Sequence, residues 1–300
     1  MRDVEVLDLN FRNASQAIGA FLVKSSAGLI LVETGPESTF SVLNSQVEAL
    51  GYQLSDIRYV LLSHIHFDHA GAAWKLAQAG AQVYVHPVGL PHLASPDRLW
   101  NSASQIYGAE NMGKLWGRME PIPESAMTEA SHGESFVFGD VSFTAWHTPG
   151  HASHHIAWEF EGGLFTGDVA GVKICGGPAV PPCPPPDIHM EAWKDSLQLI
   201  RKIAPSRLYL THFGMIEMIE QHLDELEEAM DSWAMWIKAE FDNGTTVEDA
   251  TPRFMEFTRA QMNSLGVSEA VQSLYEYANP SWMSVAGLMR YWKLKAQGRL

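Results

Sequence analysis

The sequence predicts an α/β protein, sheets covered by helices, followed by an all-helical tail. Two observations carry this. Through the first part of the 300 residues, short β-friendly apolar runs alternate with helical ones; after Gly214 the apolar residues recur only every three or four positions. Residues 17–23 and 29–32 read as strands joined by a turn at Ser25-Ser26-Ala27-Gly28, and Glu33-Thr34-Gly35-Pro36 breaks the second. Residues 38–50 read as a helix ending at Gly51, 58–63 as a buried strand, 70–79 as a helix stopped by Gly80, and 82–86 as another strand. From Pro87 to Ala130 proline, glycine and aromatic residues mix, which fits a partly helical excursion over the core. Strand character returns at 135–138, 141–147, 156–160 and 163–166. The stretch from Gly176 to Pro186 holds six prolines, so it is a stiff loop and neither helix nor inner strand. A helix over 191–203 and a strand over 207–210 complete the first region, taken as residues 1–214.

Beyond it, Ile219, Leu223, Leu226, Met230, Trp233, Ile237 and Phe241 form one apolar stripe, and Asn243-Gly244 stops that helix. Shorter helices follow around 253–264, 268–278 and 281–297, making 215–300 a helical C-terminal region. Its tryptophans and methionines read as core packing or a subunit contact, so a homo-oligomer through these helices is one expectation.

Charge narrows the function classes. With 20 Lys+Arg against 35 Asp+Glu the formal charge is −15 and no basic run occurs, which argues against a nucleic-acid partner. No apolar stretch approaches the ~20 residues that cross a bilayer. Met1-Arg2-Asp3-Val4-Glu5 lacks the apolar segment of a signal peptide, so a cytoplasmic location is expected. Cys175 and Cys183 are too few for a disulfide framework or a four-cysteine zinc site and read as free thiols.

The chemistry concentrates in His64-Ile65-His66-Phe67-Asp68-His69, directly after the strand ending at Ser63 and before the helix expected from about Ala70. Three imidazoles and a carboxylate in six residues are costly to crowd unless a divalent cation collects them. Four such groups are too many for one tetrahedral ion that keeps an open position, so the spacing suggests two metals. Further His and Asp residues stand at later strand ends: His147 and His151 in His147-Thr148-Pro149-Gly150-His151, Asp168 after Thr166-Gly167, and His212 after Thr211.

With His64, His66, Asp68 and His69 followed in order by His151, Asp168 and His212, the chain resembles the metallo-β-lactamase-fold hydrolase superfamily, nearest its glyoxalase-II-like branch, over roughly residues 1–214. The resemblance implies a four-layer αβ/βα sandwich with the metals at one edge of two facing sheets. It assigns His64, His66 and His151 to one metal and Asp68, His69 and His212 to the other, with Asp168 bridging. The C-terminal helical extension is similar in position to the helical domain of glyoxalase II. Where the family often has Asp-x-Gly, Glu33-Thr34-Gly35 stands here, and Glu33 becomes a candidate acceptor for a ligand histidine. Flavodiiron proteins carry Glu where His66 stands and append a flavin domain; this sequence has neither. The basic cluster with which glyoxalase II holds glutathione is also missing, Lys173 being the cation of the loop after Asp168.

Two divalent ions, zinc first and iron or manganese next, lower the pKa of water from ~15.7 towards ~7 and polarise a carbonyl. The expected activity is therefore hydrolysis of an ester, thioester or lactone of a small molecule by a metal-bridging hydroxide, with Asp68 orienting the nucleophile or relaying its proton. The alternative is a non-haem iron oxidoreductase on the same scaffold, persulfide-dioxygenase-like or diiron. Of the remaining residues, His154 and His155 open the strand at 156, where alternation lets at most one approach the metals, behind the ligands. His86 and His92 are candidates to line a substrate pocket, the proline-rich loop to wall it beside Asp168, and Trp100, Tyr107 and Trp116 to cover it or to pack in the core. His132, His189 and His222 have no supporting context.

Overall fold

The run from Gly19 to Val23 is buried at every residue, without the alternation of a half-exposed strand, because its sheet is covered on both faces. In the computed structural model, which describes residues 2–300, Phe21 and Val23 enter a core shared with the second sheet, while Leu22 and Ala20 face a helical layer outside. Leu29 and Leu31 likewise point outward and Ile30 and Val32 inward.

The first sheet has the order β1 (Val4–Asp8), β2 (Gly19–Ser25), β3 (Gly28–Val32), β4 (Ile57–Leu61), β5 (Gln82–Val85) and β6 (Met127–Glu129). Strands β1 to β3 pair antiparallel and β3 to β6 parallel, each parallel step crossing over through helix. These crossovers contain α1 (Phe40–Ala49), α2 (Phe67–Ala70), α3 (Ala73–Gln78), α4 (Leu90–Ala94), α5 (Asp97–Tyr107) and α6 (Ala109–Leu115). The second sheet contains β7 (Ser135–Phe138), β8 (Val141–His147), β9 (Ile156–Phe160), β10 (Gly163–Gly167), β11 (Arg207–Leu210) and β12 (Gly214–Ile216), with α7 (Met190–Ile203) between β10 and β11. The chain ends in α8 (Ile219–Asp242), α9 (Val247–Ser264), α10 (Glu269–Ala278) and α11 (Ser281–Ala296).

Aromatic rings fill the space between the sheets: Phe143 stacks on Phe160 at 4.6 Å and Phe165 on Tyr209 at 4.7 Å. Trp158, fully buried, ties the sheets together through an Nε1–H donated to the carbonyl of Leu62 at 3.0 Å. Outside the second sheet, Trp193 and Leu197 of α7 pack in one continuous core with Leu223, Leu226 and Trp233 of α8, and with residues of α9 to α11. The tail is thus a layer of the sandwich, and the four-layer α/β/β/α arrangement is complete.

Some details differ from expectation. The helix expected over 70–79 begins at Phe67 and breaks at Gly71-Ala72. The break follows from the crossing of residues 34–36: Thr34 N–H donates to the carbonyl of His69 at 2.8 Å, and Ala72 N–H to that of Gly35 at 3.0 Å. A Cβ on Gly71 would stand 2.9 Å from Pro36 Cα, so only glycine admits this approach. Strands β1, β6 and β12 were not expected; β12 extends the second sheet past Gly214, where only helix was predicted.

Candidate metal centre

The candidate ligand cluster lies at the ends of β4, β10 and β11 and in the loop after β8, at one edge of the two facing sheets. Residues 62–66 link β4 to α2, His66 is the extended residue before that helix, and Asp68 and His69 stand in its first turn. His64 and His151 present Nε2 and His66 presents Nδ1 to a common point. His66 Nδ1 lies 2.8 Å from His64 Nε2 and 3.1 Å from His151 Nε2. Nitrogens about 2.0–2.1 Å from a tetrahedral zinc stand about 3.3 Å apart, close to this spacing. Two of these rings are held from behind: Ser63 Oγ lies 2.9 Å from His64 Nδ1, and His151 Nδ1–H donates to the carbonyl of Pro182 at 2.8 Å. Burial, helped by the neighbouring imidazoles, pushes His66 down to about 4 and His64 below the usual histidine range, so both offer lone pairs.

The second group is Asp68, His69 and His212, whose ligand atoms also lie within 4.8 Å of one another. His212 Nδ1–H donates to the carbonyl of Ala17 at 2.6 Å, which turns a bare Nε2 towards Asp168 Oδ1 at 3.4 Å and Asp68 Oδ2 at 3.5 Å. His69 Nδ1 faces Glu33 Oε1 at 3.2 Å, leaving its Nε2 3.2 Å from Asp168 Oδ1. His69 Nε2, His212 Nε2 and Asp168 Oδ1 are buried and have no hydrogen-bond partner. Lone pairs facing one another in a dry site repel, and a proton or a divalent cation between them removes the conflict. Burial opposes charge on His69 and His212, but the surrounding carboxylates outweigh it and raise both; the same imidazoles outweigh burial at Asp68 and hold it at about 2. The imidazole and carboxylate donors, with three orphaned atoms converging, fit divalent cations.

Asp168 belongs to both groups, its Oδ2 lying 3.3 Å from His151 Nε2 while Oδ1 faces His69 and His212. Its backbone N–H donates to His155 Nε2 at 3.1 Å, and His155 Nδ1 stands 2.8 Å from Thr148 Oγ1. His154 lines the cavity in front of the ligands, its ring 5.9 Å from that of His66. β9 starts only at Ile156, so His154 and His155 sit in the preceding turn, where their different directions do not come from strand alternation.

The other candidates divide. Glu33 is drawn in behind His69, and its Oε2 also accepts from Ser63 N–H at 3.3 Å. Lys173 is turned away, its Nζ 2.5 Å from Glu225, although its carbonyl accepts from Phe213 N–H beside His212. His86 stands apart from the ligands, its ring tilted against that of His147 with centroids 4.1 Å apart, while His92 lines the cavity. The proline-rich loop does wall the cavity, through Pro182 and Pro184 to Pro186, as do Tyr107 and Trp116; Trp100 instead packs edge-on against Phe67. Ser63, the carbonyls of Ala17 and Pro182, and Asp187, which holds Ser153 Oγ at 2.7 Å, have no recognisable pattern in the sequence.

Comparison with known proteins places this geometry. The sequence profile of the metallo-beta-lactamase superfamily matches residues 18–212. A metallo-beta-lactamase fold-containing protein of Sulfurisphaera tokodaii is 30% identical over 180 residues, 58% of this chain and 67% of its own. A hydroxyacylglutathione hydrolase of Tolumonas auensis is 24% identical over 156 residues, and the chain spans only 48% of its length. Among solved structures, a metallo-beta-lactamase family protein of Thermus thermophilus superposes with a TM-score of 0.69 at 20% identity, covering 98% of this chain and 94% of that one. The last match includes the C-terminal helices in the shared fold. Among the described residues, no helix is long and apolar enough to cross a membrane.

Proposed function

Because this chain belongs to the metallo-beta-lactamase superfamily, we propose that its ligand cluster holds two divalent ions, zinc first, and that it hydrolyses an ester, thioester or lactone of a small molecule. The observation that carries the reading is the convergence of His69 Nε2, His212 Nε2 and Asp168 Oδ1, three buried atoms without partners, beside the triad of His64, His66 and His151. His64, His66 and His151 would hold one ion, Asp68, His69 and His212 the other, and Asp168 both. Such ions supply acidity to water and positive charge opposite a developing oxyanion.

The chain's own groups do the rest. Asp68 stays ionised and keeps some exposure to the cavity, with Oδ2 3.5 Å from His212 Nε2; a carboxylate there orients a water by accepting its proton. Phe67, Tyr107 and Trp116 form an apolar wall that keeps bulk water from the carbonyl. In the reaction the water oxygen bonds to the carbonyl carbon and the C–O or C–S bond breaks. The proton lost by water ends on the departing alkoxide, while a thiolate can leave without it. This ease of departure favours activated esters and thioesters over amides.

Donors without thiolate suit iron and manganese as well as zinc. The test is metal analysis of protein purified without added zinc, with an ester, thioester and lactone panel and an oxygen electrode. About two ions per chain and hydrolysis abolished by chelation support the reading. Iron with thiol- or persulfide-dependent oxygen uptake, or protein that takes up no ion, overturns it.

A further inference from the structure

The cavity in front of the ligand cluster measures about 880 Å³, near the upper end of the ~300–1,000 Å³ that small-molecule sites span. An ester of acetate size would leave it mostly empty. Its walls come from distant parts of the chain. Phe67, Leu99 and Tyr107 stand on one side, and the corner between α10 and α11, Ala278 to Met283, on the other. The two sides meet where Tyr107 O–H donates to Met283 Sδ at 3.2 Å and its ring packs edge-on against Trp282 at 5.5 Å.

Two arginines, Arg12 and Arg98, also line this cavity. Among the described residues neither has a carboxylate within 4.0 Å, in a chain of formal charge −15. Arg12 is held in place: its guanidinium lies 4.6 Å over the ring of Tyr277, and its backbone takes a left-handed φ of 56°. The segment before and after it is braced by Asp8, which accepts from Asn10 N–H, Gln16 N–H and Ser15 Oγ at 2.6 to 3.1 Å. The same lining carries four carboxylates: Asp68 and Asp168 in the candidate metal cluster, Asp187, which accepts from Ser153, and Glu276, which accepts from Ser281.

We propose that the substrate is an anionic amphiphile: its bulky or extended apolar body fills the cavity between the helical excursion and the C-terminal helices, its scissile carbonyl reaches the ligand cluster, and an anionic group on that body meets Arg12 or Arg98. This rests on the hydrolytic reading, of which it names the substrate class. The tail then sets specificity as well as packing.

The test uses amides, which bind without turning over, so its outcome is separate from whether matching esters are hydrolysed. The anilide of decanedioic acid with a free second carboxylate, the same compound of butanedioic acid, and neutral decananilide are titrated into metal-loaded protein. Tryptophan fluorescence reads binding, since Trp116 and Trp282 line the cavity. The long anionic amide is expected to bind at least tenfold tighter than either comparison compound. Arg12→Gln with Arg98→Gln removes its advantage over the neutral amide, and Ala278→Phe removes its advantage over the short one. Equal binding of long and short, equal binding of anionic and neutral, or an advantage that survives the arginine replacements would overturn the proposal.

Discussion

Asp168 and His69 face each other at 3.2 Å, Oδ1 to Nε2, and both atoms are buried without a hydrogen-bond partner. The second carboxylate oxygen reaches His151 in the other ligand group at 3.3 Å. One side chain therefore stands in both groups, and its removal should be felt in both. Asp168→Ala is expected to bring bound metal from about two ions per chain towards none, whereas His212→Ala should lose one ion and keep the other. Elemental analysis of the two variants, purified side by side, decides; equal metal content in Asp168→Ala and the parent would remove the shared role.

Glu33 touches no substrate-facing atom but holds His69 Nδ1 at 3.2 Å and receives Ser63 N–H, and so fixes which nitrogen of His69 faces the cluster. Such outer partners are worth about 10–100-fold in metal affinity. Glu33→Ala should weaken one of the two ions by that factor in a chelator competition, and leave the ion beside His66 and His151 near its parent affinity. A uniform loss at both sites, or none, would show that Glu33 acts only in packing.

The residues of the candidate site were legible because they fall in one six-residue run and after strands, where a continuous apolar stretch gives way to polar residues. What holds them was not. Two of the acceptors are the carbonyls of Ala17 and Pro182, which any residue carries, and Ala17 is 195 residues from the histidine it serves. The break after α2, at Gly71-Ala72, depends on a crossing by Thr34 and Gly35 that no local pattern records. Strands β6 and β12 have three residues each, too short for alternation to register. The cavity was legible only in pieces: its proline wall could be read from composition, but the meeting of Tyr107 with Trp282 and Met283 joins segments some 175 residues apart.

The sequence divides at about residue 214, and the helices beyond it supply Leu223, Leu226, Met230 and Trp233 to the core that covers the second sheet. We expect a chain ending at residue 216 to expose the apolar faces of α7 and β11 and to lose cooperative unfolding, with aggregation at micromolar concentration. Denaturant titration followed by near-ultraviolet dichroism, run beside the full chain, checks this. A truncated chain that unfolds in one sharp transition and still takes up metal would make the helical region an independent unit.

His222 of α8 gives the fold a dependence on acid that is separate from the ligand cluster. It is buried, its Nε2–H donates to the carbonyl of Ala170 at 2.7 Å, and burial pushes it down to about 4 against an ordinary value of 6.5. Between those values the unfolded chain binds the proton and the folded chain does not. Stability contributed by the neutral ring is thus complete above pH ~6.5 and declines as pH falls towards 4, a loss of about 3 kcal/mol in all. In metal-free protein, His222→Gln keeps a donor for Ala170 but cannot titrate, so its stability should fall less steeply from pH 6.5 to 4 than the parent's. Parallel slopes for the two proteins, measured by urea unfolding at each pH, would mean that the acid sensitivity originates elsewhere.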